Sequence, residues 1–252
     1  RGESVMVAFM LGLALRQMAE LAELMGEEND YLARYEAMKE TVNRVAWDGE
    51  WYARATMDDG RFLGVKREPM AKIWLNAQTW AVLSGMAPAQ RAHQAMDSVR
   101  RYLNTPLGIK KIDPAMADYP TPEDPLTYYN KGCGENGSVF CHANAWAVIA
   151  ECLLGRGERA WEYYSQLLPM NAQAKAGEWR YKAEPYVYSS NIFGPESDKF
   201  GLANVSWLTG TAAWMYVAFT QYLLGVKPVW GGLSIEPCLP PQWESIEITR
   251  IF

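Results

Sequence analysis

The sequence predicts a mainly α-helical protein, part of a ring of helical hairpins followed by the start of a β-domain. Three observations lead there. First, an apolar segment repeats around a tryptophan: Asn76-Ala-Gln-Thr-Trp80-Ala-Val-Leu-Ser-Gly85, His142-Ala-Asn-Ala-Trp146-Ala-Val-Ile-Ala150 and Thr209-Gly-Thr-Ala-Ala-Trp214-Met-Tyr-Val-Ala218. Trp80, Trp146 and Trp214 lie 66 and 68 residues apart, a period typical of repeated supersecondary units. Second, more polar, amphipathic stretches alternate with these runs. Third, the pattern changes after Gly225, where prolines and alternating apolar residues take over.

In chain order, Ser4 to Met25 reads as an apolar helix ending at Gly26, a natural helix C-terminal residue. Asp30 to Ala46 follows as an amphipathic helix, with Tyr31, Tyr35, Met38, Val42 and Val45 on one face at spacings of three and four. Trp47 to Arg54, with Asp58-Asp59-Gly60, reads as a small β-hairpin on one rim. The three tryptophan runs are rich in small residues, as helices buried on most sides should be, and would form the inner circle. The latter two end in Leu-Leu-Gly at Gly155 and Gly225. Pro88 to Leu103 and Gly157 to Leu168 supply outer helices. About seven helices result, against about twelve for a closed double ring, and half a ring exposes a large apolar edge. The remainder is therefore expected upstream. Val229 to Ile235, then Pro237, Pro240 and Pro241, then Ile246, Ile248 and Phe252 suggest entry into a β-domain or terminal sheet. This divides the chain into residues 1–227 and 228–252. The opening Arg1-Gly-Glu-Ser4 lacks an initiator Met and the end stops inside an alternation, so a piece of a longer polypeptide is expected.

With 252 residues, 49% of them hydrophobic, and a net charge of −5, the chain suits one large domain. No run of about 18 apolar residues appears, so no membrane span is expected. Mild acidity without a basic stripe argues against nucleic acid. Four cysteines without a Cys-x-x-Cys pair suggest a reducing, cytoplasmic setting. No metal spacing and no nucleotide loop is found, and no cofactor is expected. Eleven Trp and fourteen Tyr suit either sugar stacking or core packing.

Residues 132–144 concentrate the chemistry. They place Glu135, the carboxamides Asn136 and Asn144, and His142 in a Gly-rich turn just before an apolar run. Glycines let backbone approach a ligand closely, and a helix start offers N–H groups to an anion. Such a place suits a sugar, a phosphate or both. From the residues alone, His142 reads equally as a ligand or as a buried histidine holding a loop, and Glu135 as a solvated loop charge. Asp58-Asp59-Gly60 and Asp113-Pro114 look like turn chemistry. Glu123-Asp124 reads as a solvated loop, and His93 as a surface residue on an outer helix.

Taken together and in order, Gly134-Glu-Asn-Gly-Ser-Val-Phe-Cys-His-Ala-Asn144, Glu184-Pro-Tyr-Val-Tyr188 and Ser206-Trp-Leu-Thr-Gly-Thr-Ala-Ala-Trp214 resemble the C-terminal part of the cellobiose and chitobiose phosphorylases, glycoside hydrolase family 94. Arg1-Gly-Glu-Ser4 is similar to the family's stretch just after its catalytic loop. The resemblance implies an (α/α)6 toroid followed by a C-terminal β-domain. It also implies inverting phosphorolysis, in which phosphate attacks the anomeric carbon of a β-linked disaccharide and releases an α-sugar 1-phosphate. One carboxylic acid protonates the leaving oxygen, and phosphate replaces the base-activated water of an inverting hydrolase. In the family that acid is an Asp in a Trp-Asn-Asp loop before the Gly-Glu-Ser stretch. No catalytic acid is thus expected in this chain, and the chain alone is expected to be inactive.

The resemblance assigns His142 to phosphate through an imidazole N–H. Thr209 and Gly210 match a second phosphate contact, with an ordinary helix cap the alternative reading of Thr209, which can serve both ends. Glu135 matches a glutamate that holds donor-sugar hydroxyls. Tyr129 falls where the family places an acceptor-site tyrosine, with Tyr128 the alternative if the register shifts by one. Two departures concern the sugar pocket: Gly134 stands where a Lys usually precedes the Glu, and Ser190 where a Gln commonly follows Tyr-Val-Tyr. They leave the choice between glucose and N-acetylglucosamine donors open. The implied partners are a β-linked disaccharide, inorganic phosphate as co-substrate, the missing N-terminal part and a second copy in a homodimer. The rival readings are an inverting hydrolase using water, and a non-catalytic carbohydrate-binding half-toroid.

Overall fold

The computed structural model describes residues 2–116 and 129–249. Helix α1 (Val5–Met25) begins where the Ser4 hydroxyl accepts the Val7 N–H, and it ends at Gly26, whose φ of 70° lets its N–H reach back to Ala22 and Glu23. Val5, Phe9, Leu15, Ala19 and Ala22 form its buried stripe, while Val7, Leu11, Met18 and Leu24 face outward. By length and composition α1 could cross a membrane, which corrects the expectation that no segment qualifies. In this fold its buried stripe packs on α2 (Tyr31–Val45) and α3 (Leu75–Leu83). On α2, Tyr35 and Val42 are buried, but Val45 is exposed, so the apolar face is narrower than its spacing suggested.

The hairpin forms further along the chain than expected. Strand β1 (Ala55–Thr56) pairs with β2 (Phe62–Leu63) around the turn at Gly60, and Trp47–Tyr52 contributes a single bridge. Three more short strands, β3 (Ile73–Trp74), β4 (Asn104–Thr105) and β5 (Gly108–Ile109), precede β6 (Ile112–Asp113); β3 pairs with β6 and β4 with β5.

Alternation of inner and outer helices is clear around α3 and α5 (Cys141–Leu153). Every residue from Leu75 to Val82 is buried, as is every residue from Ala143 to Glu151. The outer helices α4 (Ala89–Leu103) and α6 (Gly157–Leu167) bury one stripe each, Ala92, Ala95, Met96, Val99 and Leu103 on the former. Gly157 is required where it stands, because a Cβ there would lie 2.2 Å from the Leu239 carbonyl oxygen. The repeated tryptophans meet in series: Trp80 packs edge-to-face on Trp146 at 5.3 Å, and Trp146 on Trp214 at 5.9 Å. Each such pair contributes about 1 kcal/mol beyond area burial.

Helix α9 (Thr211–Val217), continued by a π-helical turn at Ala218–Leu223, departs from the expectation of near-complete burial. Thr211, Met215, Ala218 and Leu223 are buried, but Tyr216 is exposed. The reason is position: α9 packs mainly on α5, so its other side stays open. The helices α7 (Pro169–Ala176) and α8 (Glu178–Tyr181) were not anticipated, nor was a three-stranded antiparallel sheet. In that sheet β8 (Ser189–Ile192) lies between β7 (Val139–Phe140) and β9 (Ala203–Ser206). Phe140 stands opposite Asn191, and Ser189 opposite Ser206.

Past Gly225, β10 (Val226–Val229) and β11 (Gly232–Ile235) form a hairpin turning at Trp230-Gly231. Residues 236–249 contain no strand, so the alternation of Ile246 and Ile248 does not form one here; Phe252 lies outside the described residues. The segment folds back instead, with Trp243 against Trp161 at 4.8 Å.

Candidate active site

The three-stranded sheet gathers the three motifs. Strand β7 runs directly into α5 and so places His142 in its first turn. Strand β8 carries Ser190, and β9 leads through Trp207 and Leu208 to Thr209 and Gly210 at the start of α9. Segments far apart in sequence thereby become neighbours.

The two carboxamides turn out to be fasteners rather than ligands, which corrects their grouping with the polar site residues. Asn144 is fully buried; its Oδ1 accepts the Ile109 N–H at 2.7 Å, and its Nδ2 donates to the carbonyls of Ile109 and Phe140 at 2.9 and 3.0 Å. Asn136, equally buried, accepts from the Met116 N–H at 2.7 Å and donates to the Tyr129 carbonyl at 2.8 Å. Both satisfy backbone groups that burial would otherwise leave unpaired.

His142 lies against three partners. Its ring is 4.9 Å from that of Trp146 and 6.0 Å from that of Trp214, and Gly210 covers it so closely that a Cβ there would stand 3.2 Å from Cε1. Nε2 is buried and makes no hydrogen bond among the described residues. Burial, and then the charge of Lys111, push the His142 pKa below its ordinary value, so the ring is neutral at neutral pH. A neutral imidazole offers one N–H and one lone pair. The Thr209 hydroxyl is 2.6 Å from that of Thr211 and accepts the Thr211 N–H at 3.2 Å. Thr209 therefore does serve a capping role, while Gly210 itself is the residue at the helix boundary. Thr211, fully buried beside it, escaped sequence reasoning because nothing distinguishes it from other helix-start residues.

Glu135 occupies the turn just before β7, half-exposed, and its Oε2 forms an ion pair with the Lys111 ammonium, whose side chain is 9% exposed. Burial, aided by the Arg54 guanidinium, pushes the Lys111 pKa down towards about 7, while the Glu135 carboxylate paired with it pulls the other way and favours the charged ammonium. Lys111 Nζ also lies 4.3 Å from the centre of the Phe140 ring. Lys110 points elsewhere, to Asp113 and to Glu196. Lys111 was missed in the sequence; its only signal was a pair of lysines interrupting the apolar run Leu107 to Ile112. Tyr129 packs against Gly134: the glycine has φ 51°, and a Cβ on it would lie 2.7 Å from the Tyr129 ring. Tyr129, Glu135 and Lys111 thus form one group, and His142, Thr209 and Gly210 another, electrostatically coupled through Lys111.

Ser190 is half-buried in the central strand, with Ser189 and Asn191 buried on the opposite face. Its strand pairs with β7 and β9, the strands that lead to His142 and to Thr209. His93 is half-buried and 2.7 Å from Arg156, so it is not the free surface residue expected. Asp113 belongs to β6 and pairs with Lys110, beyond its turn chemistry with Pro114. Tyr128, Glu123 and Asp124 lie outside the described residues. Among the described residues no group of three or more His, Cys, Asp or Glu is placed to hold a metal.

Inner apolar helices ringed by amphipathic ones, with polar groups gathered at one end, make this part of an (α/α)6 toroid of the kind found in carbohydrate-active enzymes. The profile of the glycosyl hydrolase 94 superfamily catalytic domain matches residues 1–225, and the chain belongs to that family. The chain is 37% identical to a solabiose phosphorylase of Paenibacillus borealis, over 100% of its own length and 33% of that protein. It is 39% identical to an N,N'-diacetylchitobiose phosphorylase of Vibrio proteolyticus, over 99% of its own length and 32% of the relative. The chain therefore spans about a third of the length of these relatives. Among solved structures, a GH63 mannosylglycerate hydrolase from Thermus thermophilus superposes with a TM-score of 0.56 at 15% identity, over 87% of this chain and 45% of that one. That likeness concerns the fold alone.

Proposed function

We propose that residues 1–227 are the C-terminal portion of the catalytic toroid of an inverting β-disaccharide phosphorylase, and that residues 228–252 begin a C-terminal β-domain. The observation that supports this best is the His142–Gly210 contact, with the Glu135–Lys111 pair beside it. A neutral His142 donates an N–H to a phosphate oxygen, the Thr209 hydroxyl supplies another donor, and Gly210 gives the His142 ring the space it occupies. The Lys111 ammonium adds positive potential without entering solvent. Glu135 accepts hydroxyl hydrogen bonds from the donor sugar, Tyr129 lines the acceptor side, and Ser190 and Gly134 tune which sugar fits. The acid that protonates the leaving oxygen comes from a preceding part of a longer polypeptide, so this chain by itself is inactive. Phosphate is a co-substrate and no cofactor takes part. The working protein is a cytoplasmic homodimer.

The rival hydrolase would use Glu135 and another carboxylate as its acid and base. Glu135 is instead held by the Lys111 ammonium, which supports its reading as a fixed acceptor for sugar hydroxyls. The test is to incubate the complete protein with cellobiose and with diacetylchitobiose, with and without phosphate. Sugar 1-phosphate formed only with phosphate is the expected result. Free monosaccharide at equal rates in both buffers would establish hydrolysis instead, and sugar binding without turnover would establish a binding module.

A further inference from the structure

We propose that Lys111 is a positioning residue for the donor sugar, acting through Glu135. This rests on the assignment of Glu135 to the sugar. Lys111 is fixed on both sides of its backbone: its N–H donates to the Ser138 carbonyl at 2.8 Å, and its own carbonyl accepts the Leu75 N–H at 2.9 Å. Its ammonium lies 4.3 Å from the centre of the Phe140 ring and is paired with Glu135 Oε2. With 9% of the side chain exposed, the ammonium has little freedom to swing away. The Glu135 side chain is 43% exposed, so the carboxylate is held through Oε2 and still reaches solvent.

Position 134 cannot supply such a charge. Its φ of 51° is left-handed, and the Tyr129 ring occupies the space a side chain would need. The cation comes instead from the segment joining β5 and β6. Holding Oε2 fixes the plane of the carboxylate and leaves Oε1 as the acceptor for a ring hydroxyl. The ligand class is a sugar presenting a hydroxyl to Oε1. Lys111 itself, nine-tenths buried, touches no substrate.

The experiment is a calorimetric titration of the complete protein with glucose and with N-acetylglucosamine, as wild type, Lys111→Met, Lys111→Arg, Glu135→Gln and the Lys111→Met/Glu135→Gln double variant. Circular dichroism checks that each is folded, and Lys111→Gln replaces the methionine variant should that one not fold. Lys111→Met is expected to weaken sugar binding about 10-fold, and Lys111→Arg to restore it to within about threefold. The double variant is expected to be no weaker than Glu135→Gln by more than about twofold, since Lys111 acts only through Glu135. Wild-type affinity in folded Lys111→Met, or losses that multiply in the double variant, would overturn the proposal. A wild type that binds sugar but makes no sugar 1-phosphate removes the proposed reaction, while Lys111 stands or falls on the titration. A wild type that binds neither sugar overturns both.

Discussion

Gly210 lies flat against the ring of His142, leaving only 3.2 Å between a Cβ built on the glycine and His142 Cε1. Its φ of −79° is one that any residue adopts, so the glycine is needed here for space and not for backbone freedom. Gly210→Ala is therefore expected to change stability by less than about 1 kcal/mol, yet to raise the KM for phosphate about 10-fold by displacing the ring. Thermal unfolding and phosphate-dependent kinetics of the complete protein check this, and an unchanged phosphate KM would separate Gly210 from the anion.

His142 should titrate below its ordinary value of 6.5, because burial and the Lys111 charge both disfavour the imidazolium. The sign follows from linkage: the unfolded chain takes the proton first, so this group costs stability as pH falls through 6.5. Ring-proton NMR should show a low midpoint in the wild type and a higher one in Lys111→Met. A midpoint at or above 6.5 would contradict the described surroundings.

Asn144→Ala should leave the buried N–H and C=O of Ile109 unpaired, destabilising the fold by about 3 kcal/mol. Urea unfolding measures this, and a loss below about 1 kcal/mol would mean that the backbone finds other partners.

Glu151 is fully buried, with arginine nitrogens of Arg156 and Arg159 at 3.6 and 3.7 Å and no hydrogen bond to either carboxylate oxygen among the described residues. Burial raises its pKa to about 7, although both arginines pull the other way. A raised carboxyl contributes stability that is full below its ordinary 4.5 and is lost as pH rises through about 7. Glu151→Gln should remove that slope, so wild-type stability should fall relative to the variant between those pH values. Parallel stability curves would show that the arginines neutralise the burial penalty.

Local signals made much of this fold legible. Ser4 and Gly26 bracket α1, Gly155 and Gly225 follow the ends of two tryptophan runs, and Trp80, Trp146 and Trp214 mark three helices whose tryptophans meet in series. What depends on distant pairing was not legible. The sheet β7–β8–β9 joins the two-residue strand β7 to a distant pair of short strands, and no periodicity announces it. Lys111 meets Glu135 only because backbone pairing lays one segment beneath the other. Asn136 and Asn144 look like ligands in sequence, since a carboxamide that fastens backbone has the same composition as one that binds sugar. The exposure of α9 was equally hidden, because it is set by neighbours and not by the helix itself.

The most direct test is to titrate inorganic phosphate into the complete protein, in the wild type and in His142→Ala, while following turnover of whichever disaccharide is cleaved. Saturable phosphate dependence, α-sugar 1-phosphate as the product by phosphorus NMR, and a loss of phosphate affinity of about 100-fold in the variant are expected. Turnover indifferent to phosphate, or a His142→Ala variant with wild-type phosphate affinity, would contradict the assignment of this site.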